Sequence, residues 1–277
     1  MDKTKIEWAD ATWNPVTGCL HSCEYCYARG IANRFSKFEP RCGGEVIPDG
    51  TGTLVGSIWN TTHGETLHVF DGQPMRRERC GDFVKASYPY GFEPTLHRYR
   101  LDIPARWKHP RNIFVCSMAD LFGAWVPDEW IVDVFAACAA APQHNYMFLT
   151  KNTARYEELE GMEALPINNH LWYGSTVTTA DDTFYGGKPY NTFASIEPIM
   201  ERFHPYTKWV EAVNWIIIGA ETGKRKSKIV PKRSWIEELC EAADAAGTPV
   251  FMKNSLIPIM GTDNMRREFP EGLVRTQ

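Results

Sequence analysis

"WIIIGAE", residues 215–221, is apolar at four successive positions and then turns through Gly219 and Ala220 to a glutamate. A strand with one wet face alternates apolar and polar residues, whereas a strand covered on both faces does not. The run therefore predicts a central strand of a parallel sheet that delivers a charged side chain at its C-terminal end. Working outward, β-prone runs recur at "TWNPVTGC" (12–19), "PTLHRY" (94–99), "NIFVCSM" (112–118), "YMFLTK" (146–151), "LWYGSTV" (171–177), "NTFASIEP" (191–198) and "PVFMKN" (249–254). Helical patterns separate several of them. "PDEWIVDVFAACAAA" (127–141) has a proline suited to a helix start. "SWIEELCEAADAAG" (234–247) opens with Ser234 and Glu237 spaced as a capping box and stops at Gly247.

With residues 215–221 these make eight candidate strands. Strands alternating with helices predict an α/β fold, a (β/α)8 or nearly closed partial TIM-type barrel, with a doubly wound open sheet as the alternative. The expected organisation is one domain over residues 1–277, with a turn-rich insertion at 37–87. Active sites of such barrels form where strands end. The strand ends supply Cys19, then Ser117 and Asp120, then Thr150, Lys151 and Asn152. Thr176 and Thr178, Glu197, Glu221, and Lys253 with Asn254 complete the ring.

A net charge of −4 gives no overall pull toward nucleic acid or an anionic membrane, so any basic patch must be local. "MDKTKIEWADATW" lacks the apolar run of a signal peptide, and no stretch is long and apolar enough to span a membrane. A cytoplasmic protein without membrane contact is expected; the oligomeric state is not legible.

Among eight cysteines, Cys19, Cys23 and Cys26 crowd into "GCLHSCEYCYARG", residues 18–30. A disulfide knot is a poor match for a cytoplasmic chain of this size. A redox pair at Cys23 and Cys26 leaves Cys19 unexplained. Structural zinc usually draws two short cysteine pairs from separate segments, and here the fourth ligand would have to be Cys42 or His21. Three thiolates in one loop can also hold three irons of a [4Fe–4S] cluster and leave the fourth open.

The C-x3-C-x-Tyr-C spacing resembles the signature loop of the radical S-adenosylmethionine superfamily. "KIEWADATWNPVTGC", "CYA", "PRNIFVCSMADLF", "FLTKN", "LWYGSTV", "FASIEP", "IIIGAETG" and "FMKNS" together resemble the phage-associated radical-SAM-like family, over roughly residues 4–36 and 88–258. The resemblance implies a [4Fe–4S] cluster on Cys19, Cys23 and Cys26, S-adenosylmethionine as co-substrate, and an external one-electron reductant. It implies that Tyr25 packs near the cofactor. A further similarity, to spore photoproduct lyases, implies that Thr150 and Lys151 meet the cofactor, the Lys151 ammonium at the carboxylate of S-adenosylmethionine, with Thr176 in support. Ser117 is a further candidate. Thr178 stands where relatives commonly carry glutamate. "CGGE" (42–45) mimics an amine-binding motif but follows Cys26 too soon to end a second strand.

Asp120, Glu197, Glu221 and Lys253 are the candidate catalytic and substrate-binding side chains, suited to amine, carboxylate or phosphate groups. "TGKRKSKIVPKR" (222–233) adds Lys224, Arg225, Lys226, Lys228, Lys232 and Arg233, a basic loop able to meet a nucleotide or DNA backbone. The expected activity is hydrogen abstraction by a 5′-deoxyadenosyl radical from a modified nucleobase in phage DNA, with rearrangement or isomerisation following. Modification of a peptide or free amino acid, and a noncatalytic zinc-stabilised binding protein, are the alternatives.

Overall fold

The computed structural model describes residues 4–36, 46–47, 56–60, 66–77, 83–203 and 208–273. In chain order the strands are β1 (Ala11–Trp13), β2 (Val16–Thr17), β3 (Val46–Ile47), β4 (Gly56–Asn60), β5 (Thr66–Phe70), β6 (Met75–Arg77), β7 (Phe83–Lys85) and β8 (Thr95–His97). They continue with β9 (Asn112–Val115), β10 (Asn145–Thr150), β11 (Leu171–Thr176), β12 (Asn191–Ile196), β13 (Trp215–Ile218) and β14 (Val250–Met252). The α-helices are α1 (Tyr27–Ser36), α2 (Asp128–Ala139), α3 (Ala154–Gly161), α4 (Arg233–Ala246) and α5 (Ile257–Met260). The chain divides into two compact units, one of residues 1–12, 110–114 and 142–277 and one of residues 13–109 and 115–141.

The first unit is built on a seven-stranded sheet in the order β1-β9-β10-β11-β12-β13-β14. Strands β9 to β14 pair in parallel throughout. Strand β13 shows why the sheet is covered on both sides. Trp215 and Ile217 enter one core cluster with Phe193, Phe251 and Trp8, while Ile216 and Ile218 enter another with Val250, Met252 and the α4 residues Ile236, Leu239 and Ala243. All four β13 side chains are fully buried. The first cluster also reveals the curl. The Trp8 ring lies tilted 4.7 Å from Phe114 of β9 and edge-on 6.2 Å from Trp215 of β13, strands separated by three others, which a flat sheet would keep far apart. The sheet is thus a half-barrel with helices on its outer face, its hollow filled by aromatic rings.

The expected eight-stranded count is corrected by two backbone events. Within residues 94–99, Thr95–His97 do form a strand, β8, but outside the parallel sheet. In the second unit it pairs antiparallel with β2 and parallel with β5, in a sheet ordered β2-β8-β5-β4. The expected strand 12–19 is broken, because Pro15 has no N–H to continue a ladder. The Trp13 carbonyl accepts from the Cys116 N–H at 2.8 Å, whereas the Pro15 carbonyl accepts from the His97 N–H at 2.7 Å. The chain changes sheets within two residues. A further antiparallel set, β3-β6-β7, lies in the stretch expected to be an insertion. "CGGE" lies outside the described residues, as do Cys42, His63 and Cys80, which with His68 are the insertion's candidate metal ligands in sequence.

The capping box expected at Ser234 is also corrected. Helix α4 starts at Arg233, with Lys232 as N-cap and no side-chain cap, so Ser234 lies inside the first turn. Glu237 is engaged by Arg233 at 2.7 Å instead. The stop holds: Gly247 takes φ 68° and its N–H returns to Ala243 and Asp244. Among the described residues no helix is long and apolar enough to cross a membrane.

Gly174 of β11 lies opposite Phe193 of β12, and a Cβ there would enter the Phe193 ring. Phe193→Ala is expected to lower stability by about 3–5 kcal/mol. Gly174→Ala is expected to cost about 1–3 kcal/mol in the parent but little in the Phe193→Ala background. Urea unfolding of the four proteins of this cycle measures the coupling; additive effects would place the ring elsewhere.

Candidate functional site

The cysteine loop lies in the second unit between β2 and α1. Backbone bonds fix its entry: the Gly18 N–H donates to the Met118 carbonyl at 2.9 Å and the Cys19 N–H to the Phe92 carbonyl at 3.1 Å. Gly18 has φ 87°, and a Cβ there would strike the Glu93 carbonyl, so only glycine fits. At the exit the Cys26 N–H closes a turn on the Cys23 carbonyl at 3.2 Å, immediately before α1. The Arg29 N–H, in the first turn of α1, points to the Cys26 sulfur at 3.3 Å. Cys19, Cys23 and Cys26 are free thiols, each half-buried.

Three neighbours brace this loop. His21 Nε2 meets Asp120 Oδ2 at 2.9 Å, and its ring stands edge-on to Trp125 at 4.9 Å. Asp120 is buried, and its Oδ1 accepts the Phe122 N–H at 3.1 Å. The Arg29 guanidinium bonds the His21 carbonyl and lies 5.5 Å over Phe92. Ser117 sits beside this frame: its hydroxyl donates to Asn14 Oδ1 at 3.2 Å and its carbonyl accepts from Tyr27 at 2.9 Å. Tyr25 is half-buried. His21 as a brace, Asn14 and Arg29 were not singled out from sequence. Only His21 carried a signal, its place between two of the cysteines.

Burial, then the Asp120 carboxylate, pushes the Cys19 thiol up to about 12; a backbone N–H from His21 opposes this, and the Cys23 and Cys26 thiols add to it. Cys116 and Cys240 are buried core thiols, also pushed upward by burial. Cys116 holds φ 55°, in the left-handed region that disfavours side chains.

The first unit carries the other candidates at strand ends. Ile196, Ile218 and Met252 are register partners across β12, β13 and β14, so Glu197, Gly219 and Lys253 leave the ladder side by side. Lys253 Nζ pairs with Glu197 Oε1 across that gap. A Cβ on Gly219 would lie 3.2 Å from Lys253 Cδ and 3.3 Å from Glu197 Cγ, so the glycine makes room for the pair. Glu221 is buried and holds Arg225 through Oε1.

Thr150 is buried, and its hydroxyl oxygen accepts the Asn152 N–H at 2.9 Å; Lys151 and Thr176 are half-buried. Beyond β11, Asp182 Oδ2 gathers the Thr178 N–H at 2.6 Å, its hydroxyl at 2.8 Å and the Thr179 N–H at 2.9 Å. Those bonds lower the Asp182 carboxyl against the burial that raises it. Of the basic loop, Arg225 is turned to Glu221 and Arg233 to Glu237, whereas Lys226, Lys228 and Lys232 are exposed. The Lys224 side chain is outside the description.

Among the described residues no three His, Cys, Asp or Glu side chains are grouped about one point as single-ion ligands. The donor chemistry of the loop is three thiols, with one backbone N–H already aimed at a sulfur.

In the metal-free protein, Cys19 is expected to stay protonated at pH 8 and to react slowly with iodoacetamide. Its alkylation rate should still be rising at about pH 11, read by peptide mass spectrometry; a plateau by about pH 9 would contradict the burial argument. Folding favours the neutral thiol, so its stabilising contribution is full below the ordinary value of 9.0 and is lost as pH climbs toward about 12.

No curated protein and no solved structure matches the chain. One family, described as "Protein of unknown function (DUF5131)", matches residues 3–67 and 71–257. With most of its length inside that match, the chain belongs to the DUF5131 family.

Proposed function

We propose that the chain is a radical S-adenosylmethionine enzyme, its half-barrel being of the radical-SAM kind, and that Cys19, Cys23 and Cys26 hold a [4Fe–4S] cluster. The observation that carries this reading is the cysteine loop: three free, half-buried thiols with a backbone N–H at 3.3 Å from the Cys26 sulfur. Hydrogen bonds to cluster sulfurs, low solvent access and thiolate ligands from one loop suit such a cluster. The raised Cys19 value suits it too. A thiol that is buried and lies beside a carboxylate, as Cys19 does, is disfavoured as a thiolate until metal charge arrives.

When bound, the cluster supplies one-electron reductive cleavage of S-adenosylmethionine, which yields methionine and a 5′-deoxyadenosyl radical. The reducing electron comes from an external one-electron donor. The chain's own tasks are to bind, orient and exclude water. Lys151 is assigned to the cofactor carboxylate, an ammonium facing an anion, with Thr150 and Thr176 in support and Tyr25 beside the cofactor. Glu197 and Lys253 are assigned to a polar substrate bearing amino or amino-acid groups. Their ion pair is exchangeable, since each partner can be re-paired by a zwitterion. Asp120, also a candidate, has its oxygens on His21 and the Phe122 N–H and is assigned to hold the loop.

A modified nucleobase in DNA is the substrate we favour, because Lys226, Lys228 and Lys232 are exposed near Glu221 in sequence. A peptide or free amino acid is the alternative, and binding that is insensitive to salt would favour it. One observation favours a different metal. Asp120 orients His21 as carboxylates orient metal-bound imidazoles, which suits a noncatalytic Cys3His zinc-stabilised binding protein if the metal draws together four side chains that are not so grouped here.

Anaerobic reconstitution with iron and sulfide, then dithionite and S-adenosylmethionine, is expected to yield 5′-deoxyadenosine by mass spectrometry. Cys19→Ala, Cys23→Ala and Cys26→Ala should each reduce it to background. Lys151→Ala should weaken S-adenosylmethionine about tenfold or more. Stoichiometric zinc with no cofactor cleavage would overturn the enzyme reading.

A further inference from the structure

We propose that Glu221 and the basic segment following it form a subsite for a nucleoside 5′-phosphate, in which Glu221 Oε2 accepts a hydrogen bond from a neutral N–H or O–H of the sugar or base. The inference rests on the nucleic-acid reading above and narrows it to one contact.

The Glu221 side chain is 3% exposed. Oε1 is engaged by Arg225, but Oε2 is buried and has no hydrogen-bond partner among the described residues. Buried polar atoms are almost always satisfied, and a carboxylate oxygen left without a donor is among the costlier exceptions. Other carboxylates of the chain illustrate the rule: buried Asp120 uses both oxygens, and one oxygen of half-buried Asp182 gathers three donors. An acceptor kept dry and unfilled beside a strand end is suited to a donor brought from outside the chain. The Arg225 guanidinium already offsets the charge of Glu221, so a neutral donor fits better than a second buried cation.

The phosphate half comes from the segment itself. From Thr222 to Ile236 there is no Asp or Glu. Lys226, Lys228 and Lys232 are exposed along it, while its two described arginines face carboxylates. Flexible, exposed ammonium groups on this segment suit a phosphate as point charges, while the desolvated Glu221 supplies discrimination. A nucleotide carries a neutral donor on its sugar or base and a phosphate at its other end, and it is the ligand of this kind that agrees with the nucleic-acid reading.

The test is calorimetric binding to the full-length protein without cluster, using thymidine 5′-monophosphate, thymidine and S-adenosylmethionine as probes. Two analogues each remove one donor from the nucleotide: the 3′-deoxy form lacks the sugar hydroxyl, and the N3-methyl form lacks the ring N–H. One of them is expected to bind the wild type on the order of tenfold to a hundredfold more weakly. Glu221→Gln, whose amide offers N–H where Oε2 stood, should show the same loss, and the analogue should then cost nothing more. Lys226→Ala with Lys228→Ala should weaken the monophosphate and leave thymidine unchanged.

Equal binding of both analogues, equal binding of thymidine and its monophosphate, or no binding at millimolar concentration overturns the inference. So does a Glu221→Gln effect confined to S-adenosylmethionine, which would assign the acceptor to the cofactor's nucleoside. If Glu221→Gln fails to fold, the analogue series on the wild type decides alone. Failure of the radical reading is separate: it appears as absent 5′-deoxyadenosine with nucleotide binding intact.

Discussion

A parallel sheet covered on both faces must satisfy every backbone N–H and C=O inside its own ladder, because no water reaches the strands to do it. That requirement fixes the register from β10 to β14, and the register places the chemistry of the first unit. Leu149 pairs with Gly174 and Gly174 with Phe193, so one glycine leaves room for the aromatic core. Ile196, Ile218 and Met252 align in the same way, so Glu197 and Lys253 emerge on either side of Gly219. A one-residue slip of any strand would turn its core side chains outward and separate the charged pair in the same step. Stability and site geometry in this unit therefore rest on one set of hydrogen bonds.

The cysteine loop of the second unit is held by a different arrangement with the same logic. It has no ladder of its own, so its backbone groups are bonded to distant segments: Gly18 to Met118 and Cys19 to Phe92. Side chains add His21 to Asp120 and Arg29 to the His21 carbonyl. A loop fixed at its entry, its middle and its exit loses little further entropy when three sulfurs must hold one group.

The parts of this structure legible in sequence were those set by local periodicity. The both-face apolar run at 215–218, the other core strands and the Gly247 stop follow from residues that are neighbours in the chain. Pro15 was visible, but its consequence was not, because which strand claims Val16 and Thr17 depends on residues 95 and 96. The second expected strand failed for the same reason: Thr95–His97 has strand character, and only its partners decide the sheet. Ser234 had the right spacing for a cap, yet the helix gained a turn position by starting at Arg233, where the arginine reaches Glu237. In the site, the cysteines were legible by spacing. Their braces were not, since His21 and Asp120 are 99 residues apart and Asn14 and Met118 are 104 apart.

Charge explains why the two units treat their buried polar groups differently. At the cysteine loop burial first, and then the Asp120 carboxylate, disfavours a thiolate at Cys19. Such a loop gains most from a positively charged guest, and the gain comes with release of protons. At the strand ends of the first unit the carboxylates arrive with their own cations, Lys253 for Glu197 and Arg225 for Glu221. Those pairs are already near neutral, so what they can recognise is a rearrangement of partners or an added neutral donor, not a bare ion. A metal-bearing group and a polar organic ligand make opposite demands on the electrostatics around them. The cysteine loop is electrostatically suited to the former and the strand ends to the latter.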